Sequence, residues 1–270
     1  MDNNKTVSKE SAPEKFLRLL EIVRELRIRC AWDREQTLAT MAKGLIEESY
    51  EVLDAVERDS AAELTGELGD VLVQVLLGAV IAAERGSGSI ESIMDAAIGK
   101  LIRRHPHVYG DAVARDAAEA VANWEKIKRA ERDESGYKSA LDGIAQTLPA
   151  LVRAEKLGRR AREAGVDWRD LRAVIAKVRE ELDEVEAALD SGSAADTVGE
   201  IGDAMLALAN APRFLDASAE DVLRAASAKF VARFRCLEDL ARSRSLNLRE
   251  IDNAQINDLW LEAKRSLQDE

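Results

Sequence analysis

One spaced set of acidic residues occurs twice in this chain, and no other sequence feature constrains the fold as much. Residues 47–51 read EESYE and residues 67–70 read ELGD, while residues 180–184 read EELDE and residues 200–203 read EIGD. Glu47, Glu48, Glu51, Glu67, Gly69 and Asp70 return after 133 positions as Glu180, Glu181, Glu184, Glu200, Gly202 and Asp203. The tryptophans follow the same plan, since Trp32 to Trp168 and Trp124 to Trp260 are each 136 positions. Lys100 and Arg104 recur as Lys229 and Arg233 after 129 positions, which places a short indel between the acidic motif and the basic pair. An ordered series of acidic, tryptophan and basic matches reads as a tandem duplication. The expected organisation is a first helical domain over 14–132, a joint over 133–147 and a second helical domain over 148–270.

The hydrophobic periodicity within each half is helical. Met41, Leu45, Val52 and Val56 form one stripe around the first motif; Leu171, Val174, Val178, Val185 and Leu189 form one around the second. Glu67 to Ala83 and Glu200 to Ala211 read as strongly apolar, buried helices. Leading helices are expected over Glu14 to Arg29 and Pro149 to Ala164. Later ones are expected over Ile90 to Arg104, Asp116 to Arg132, Ala219 to Ala241 and Asn253 to Leu267. No alternating strand pattern appears, and only four prolines and 15 glycines interrupt 270 residues. The fold class is therefore all-α, each half a bundle of four or five helices.

Charge and cysteine content narrow the functions. The net charge is −12, which argues against nucleic-acid polymers as partners because these need a basic face. Two cysteines make neither a disulfide scaffold nor a cysteine metal cage. The first residues, MDNNKTVSKESAPEK, are polar and lack the apolar core of a secretion signal. The longest apolar stretch, Val71 to Ala83, is broken by Gln74 and Gly78 and is shorter than a membrane span. A cytoplasmic location with no membrane partner is expected.

The acidic positions carry the chemistry. Glu48 lies on the apolar stripe between Leu45 and Val52, and Glu181 lies between Val178 and Val185. A carboxylate on a core-facing stripe is costly unless it is paired or bound to a cation. Packing the EExxE helix antiparallel to the ExxD helix gathers four or five carboxylates. A hard divalent cation relieves their repulsion, and all-oxygen ligation suits Mg²⁺, with Mn²⁺ as a substitute. Lys100 with Arg104, and Lys229 with Arg233, are i, i+4 pairs able to reach phosphate oxygens from one helix face. Trp124 with Lys128, and Trp260 with Lys264, set an indole and a cation one turn apart, and an indole can stack on a nucleobase. Carboxylates, a divalent metal, cations and an indole together point to a nucleoside polyphosphate.

These residues resemble the MazG family of nucleoside triphosphate pyrophosphohydrolases. The resemblance rests on CAWDREQT at 30–37, EESYE, ELGD and RRHPHVYG at 103–110, then on GVDW at 165–168, EELDE, EIGD and KFVARFR at 229–235. It implies an all-α homodimer that cleaves NTPs and dNTPs between the α and β phosphates to the monophosphate and pyrophosphate. It implies Mg²⁺ ligands at Glu48, Glu51, Glu67 and Asp70, and at Glu181, Glu184, Glu200 and Asp203. Substrate contacts of the family's second domain fall on Lys177, Lys229, Arg233, Trp260 and Lys264. Two positions depart from the pattern. Thr197 stands where some relatives carry a lysine, and Ala31 stands where CPWD has its proline. A carboxylate at the cluster's edge, Glu47 or Glu180, is expected to orient the attacking water. Lys177 has Gly44 as its counterpart, so the C-terminal half is expected to carry most of the turnover.

Other readings set limits. A helical scaffold with a merely solvated acidic stripe predicts no effect of Mg²⁺ on stability. A prenyl-diphosphate synthase needs DDxxD runs, which are absent. His105 and His107 flank Pro106, so a turn is expected there rather than a metal site. Cys30 reads as a small apolar residue, and Trp32 and Trp168 read as packing residues.

Overall fold

A computed structural model describes residues 10–134 and 136–267. Residues 1–9 of the polar N-terminal stretch, Ser135 of the expected joint and residues 268–270 lie outside the described residues. The described residues form α-helices joined by turns, with one 3-10 turn and no strand. The all-α expectation holds. The chain divides into two compact units, Met1–Glu131 and Arg132–Glu270.

Unit 1 runs α1 (Ala12–Arg29), α2 (Ala31–Glu35), α3 (Leu38–Glu57), α4 (Ala61–Glu84), α5 (Ile90–Arg104), α6 (Pro106–Tyr109) and α7 (Ala117–Glu134), the last continuing past the unit boundary at Glu131. Local chemistry sets the ends. The Thr37 hydroxyl accepts from the Thr40 N–H at 3.2 Å to start α3, and Ser89 does the same for Ser92 at the start of α5. Leu20 and Val23 of α1 bury against Leu76, Leu77, Ala79 and Ile81 of α4 and Ile90 of α5. A fully buried side chain such as Leu76 contributes about 1.5–3 kcal/mol.

Helices α3 and α4 form an antiparallel hairpin. Met41 lies against Gly78 and Gln74 against Gly44, while Glu48 neighbours Asp70 and Glu51 neighbours Glu67. Partners fall along α4 as they rise along α3, which defines the register and brings the two acidic motifs face to face.

Unit 2 runs α8 (Ala150–Glu163), α9 (Leu171–Ser191), α10 (Ala194–Ala209), a 3-10 turn (Pro212–Leu215), α11 (Ala219–Ser243) and α12 (Asn253–Ser266). Asp170 caps α9 by accepting from the Ala173 N–H at 2.9 Å. Gly192, at φ 75° in the left-handed region, ends α9 so that the chain reverses into α10. Small side chains, Ala154, Ala209 and Ala219, let α8, α10 and α11 approach. A separate cluster of Leu237, Ala241, Leu259 and Ala263 joins α11 to α12.

Several sequence expectations need correction. Val56 and Leu189 belong to the expected apolar stripes but are 55% and 61% exposed. They sit in the last two turns of their helices, beyond the partner helix's buried face, and Ala55 and Ala188 are buried instead. The two ExxD helices are not wholly buried. Leu68, Leu72 and Val75 of α4, and Ile201, Met205 and Leu208 of α10, are exposed. These helices are apolar on more than one side, and one side meets its own unit. Helix α4 is also longer than the apolar stretch read from sequence, and by length and composition alone it could cross a membrane. Its Leu76, Ala79 and Ile81 are spent in the core of unit 1.

Candidate active site

In unit 1 the hairpin gathers Glu48 from α3 with Glu67 and Asp70 from α4. One carboxylate oxygen of each lies within 4.8 Å of the others. Glu51 shares a side-chain hydrogen bond with Glu67. Partial burial, followed by repulsion from Asp70, Glu51 and Glu47, pushes the Glu48 carboxyl above the usual carboxylate range. Partial desolvation and then repulsion from Glu51 do the same to Glu67. The Gln74 side-chain amide donates to Glu48 and partly offsets this. Glu47 is exposed at the cluster's edge.

Unit 2 gathers a related but not identical trio, Glu181 and Glu184 from α9 and Glu200 from α10, again within 4.8 Å, with Glu184 in place of the Asp70 counterpart Asp203. Glu181 is only 5% exposed. The Lys177 ammonium lies 2.6 Å from Glu181 and 2.8 Å from Glu180, and these two carboxylates hold it protonated. Repulsion from Glu181 is the main force raising the Glu184 carboxyl, with desolvation next. Asp203 lies one turn beyond Glu200 on α10 and is exposed, outside the tight group.

Beside that change of membership, the two clusters differ in one exchanged pair of neighbouring side chains. Unit 2 has Lys177 and Ala207 where unit 1, 133 positions earlier, has Gly44 and Gln74. The bare backbone at Gly44 makes room for Gln74, since a Cβ there would lie 2.8 Å from the amide nitrogen. A cation reaches the inner carboxylate along its own helix in unit 2. A neutral amide reaches it from the facing helix in unit 1. In the sequence Gln74 stands out only as the polar interruption of the apolar run Val71 to Ala83, and that is the one signal of its place at the cluster.

Apart from Lys177, the basic residues lie on other helices. Arg104 donates to Glu131 at 2.9 Å, with Arg103 beside it at 3.0 Å. The Arg104 guanidinium lies 5.5 Å and the Lys128 ammonium 4.3 Å from the centre of the Trp124 ring. Arg104 is thus engaged by a carboxylate that the sequence reading did not include, and Trp124 is flanked by cations. Lys100 is exposed on α5. In unit 2, Trp260 tilts against Phe230 at 5.4 Å, with Lys229 and Lys264 exposed and Arg233 half-buried nearby in sequence. Glu131 has no acidic counterpart 136 positions on, where Leu267 stands. Helices α11 and α12 pack chiefly on each other, and α11 packs also on α8 and the 3-10 turn. The structure thus joins the carboxylates within each hairpin, with Lys177 beside them in unit 2, and sets the remaining cations on separate helices.

The remaining residues fall as follows. His105 Nδ1 lies 2.7 Å from the Leu101 carbonyl oxygen, and Pro106 opens the one-turn helix α6. Neither histidine joins a ligand group among the described residues. Both cysteines are free thiols. Trp32 is 67% exposed, contrary to its reading as a packing residue, because the five-residue α2 buries none of its side chains. Trp168 is half-buried and shares a cavity with Val166, Leu206 and Asn210.

All the donors of the two clusters are carboxylate oxygens, closely spaced and mutually repelling. That donor set fits a hard divalent cation.

Residues 36–109 match the MazG nucleotide pyrophosphohydrolase domain. The chain is 40% identical over 257 residues to the nucleoside triphosphate pyrophosphohydrolase of Escherichia coli, covering 93% of this chain and 97% of that one. It is 37% identical over 251 residues to the nucleoside triphosphate pyrophosphohydrolase/pyrophosphatase MazG of Thermotoga maritima, covering 92% and 95%. A crystal structure of a MazG-related protein from Thermotoga maritima matches at 29% identity and a TM-score of 0.38, covering 42% of this chain and 98% of that one.

Proposed function

Because the chain belongs to the MazG family of nucleotide pyrophosphohydrolases, we propose that this hydrolase cuts nucleoside triphosphates between the α and β phosphates, releasing the monophosphate and pyrophosphate with Mg²⁺ or Mn²⁺. The observation that carries the reading is the unit 2 cluster: three carboxylates within 4.8 Å, with the Lys177 ammonium beside them. Glu181, Glu184, Glu200 and Asp203 would hold the metal there, and Glu48, Glu51, Glu67 and Asp70 in unit 1. When bound, the metal supplies neutralisation of the charge that builds on the polyphosphate oxygens.

The chain's own residues do the rest. Lys177 is placed to exchange a carboxylate partner for a phosphate oxygen. Glu180, at the cluster's exposed edge, orients a water for in-line attack at the α phosphorus, with Glu47 as its counterpart. Lys229, Arg233 and Lys264 bind the polyphosphate, and Trp260 stacks on the base. Lys100, Arg104, Trp124 and Lys128 are their counterparts in unit 1, where Arg104 is already engaged by Glu131. That engagement and the absence of a lysine at Gly44 support unit 2 as the main site of turnover. The working form is a cytoplasmic homodimer.

Incubation of the full-length protein with each NTP and dNTP plus Mg²⁺, followed by product identification, tests the reaction. The expected products are the monophosphate and pyrophosphate. Release of the diphosphate and orthophosphate places the cut at the wrong bond and overturns the reading.

A further inference from the structure

A cavity of about 380 Å³ opens in unit 2 between α8, the 3-10 turn and the Asp216, Ala217 and Ser218 connection that leads into α11. Four cations line it: Lys156, Arg159 and Arg162 from α8, and Arg213 from the 3-10 turn. The three from α8 recur every third residue and so share one side of the helix. None of these three has an ion-pair partner among the described residues. The two carboxylates of the lining form no ion pair with them, so the lining keeps an excess of positive charge. Glu155 accepts from the Ala219 N–H, and Asp216 is exposed. Arg213 pairs with Asp167 and lies 4.2 Å from the Phe214 ring centre, yet its Nε–H is buried without an acceptor.

This cluster is unusual for a chain with 51 acidic and 39 basic residues. Other half-buried arginines are met by carboxylates, as in Arg104 with Glu131 and Arg132 with Glu163 at 2.8 Å. Unit 1 has a cavity at the matching place, between α1, the end of α4 and the start of α5. That one is about 160 Å³, narrowed by Leu20 and Ile90 and lined by Glu84 and Glu91. Glu84 pairs there with Arg27 at 2.7 Å. The unit 1 cavity is small and neutralised, whereas the unit 2 cavity is open and basic.

We propose that the unit 2 cavity is a binding site for a diphosphate group, separate from the acidic cluster. Like charges crowded around a concavity repel, and a compact anion of several negative charges relieves that repulsion while accepting from the arginine forks. The volume falls within the roughly 300–1,000 Å³ of small-ligand pockets. Glu200 precedes Ala209, the end of α10, by nine residues, about 13 Å along the helix, and the 3-10 turn lies beyond it. Inorganic pyrophosphate and the diphosphate end of a nucleotide share this chemistry.

Calorimetric titration of the full-length protein with inorganic pyrophosphate in metal-free buffer tests the proposal, because carboxylate clusters without a cation repel the anion. One binding event per chain is expected. Arg159→Gln with Arg162→Gln should weaken it at least tenfold, and Lys156→Gln with Arg159→Gln should do the same. Glu184→Gln should leave it unchanged. The substituted arginines are exposed, and melting curves without ligand check that each variant folds. ADP in the same titration separates the sources. Tighter binding than pyrophosphate assigns the site to a nucleotide, and equal or weaker binding assigns it to the inorganic anion. Failure of both to bind the unsubstituted protein, or binding that survives both double substitutions, overturns the proposal. No turnover occurs in the metal-free titration, so its failure leaves the proposed reaction standing.

Discussion

Glu48 and Glu181 stand at the same place in the two motifs and face different neighbours. Glu181 is met by the Lys177 ammonium, whereas Glu48 is met by the neutral Gln74 amide. The Glu48 carboxyl is raised above its ordinary value of 4.5, chiefly by burial. A carboxyl raised on folding contributes stability that is complete below the unfolded value and is lost as pH rises through the folded value. In metal-free buffer Glu48→Gln is therefore expected to melt higher than the unsubstituted protein at pH 7, and the gain should vanish below pH 4.5. Saturating Mg²⁺ should reverse the order, since a site at 100 times its Kd gains about 2.7 kcal/mol that the amide variant forgoes. Glu131 carries the opposite sign. Hydrogen bonds from Arg104, and then from Arg103, hold it below the ordinary range. Its stability is present above the unfolded value and lost as pH falls through the folded one. Glu131→Gln should cost about 1–2 kcal/mol at neutral pH, discounted for partial exposure, and less in acid. Melting curves of both variants across pH, with and without Mg²⁺, check the two signs together.

At the scale of elements, the helices were legible from hydrophobic periodicity and the scarcity of proline and glycine. Helix α5 spans the expected residues, and α8, α11 and α12 end within two residues of expectation. The acidic clusters were legible because EExxE and ExxD each place their carboxylates on one helix face, and a short connection makes the two helices antiparallel. What sequence could not supply is which side of an apolar helix meets its own unit, hence Leu72 and Met205 in the open. It also could not supply long-range partners such as Gln74 for Glu48 or Glu131 for Arg104, whose separations no local period encodes. The crossing of α8 and α10 is another such contact. A Cβ on Gly158 would collide with the Asn210 side chain, which is 2% exposed and donates to the Leu206 carbonyl at 2.9 Å. Gly158→Ala should cost about 1–3 kcal/mol by overpacking, and Asn210→Ala added to it should recover part of the loss. Urea unfolding of the single and double variants measures this. The hairpins themselves differ in function if Lys177 matters. Glu184→Ala is expected to remove more activity than Glu51→Ala, and the reverse order in steady-state assays would place the turnover in unit 1.

At the scale of the whole molecule, the exposed apolar residues of the two ExxD helices obey the same repeat as the carboxylates. Leu68, Leu72 and Val75 on α4 correspond, 133 positions on, to Ile201, Met205 and Leu208 on α10, and all six are exposed. The spacing i, i+4, i+7 makes each set a continuous stripe along one helix face. A charged, acidic chain gains nothing in solubility from two such stripes. Repeated exposed apolar stripes of this kind mark surfaces that a partner covers. A second copy of the same chain is the natural partner, because in a two-fold dimer each stripe meets a surface built from the same residues. The stripes lie on the helices that carry Glu67, Asp70, Glu200 and Asp203, so covering them would also hold the carboxylate helices in place. Sedimentation analysis should then find a dimer. Met205→Glu or Leu72→Glu, by placing a charge in an apolar contact, should weaken it by about 3 kcal/mol, roughly a hundredfold in Kd. The carboxylates themselves are untouched by either substitution. A fall in activity that is restored at high protein concentration would therefore tie the cluster's geometry to association. A protein that sediments unchanged in both variants would show that something other than a second copy covers these stripes.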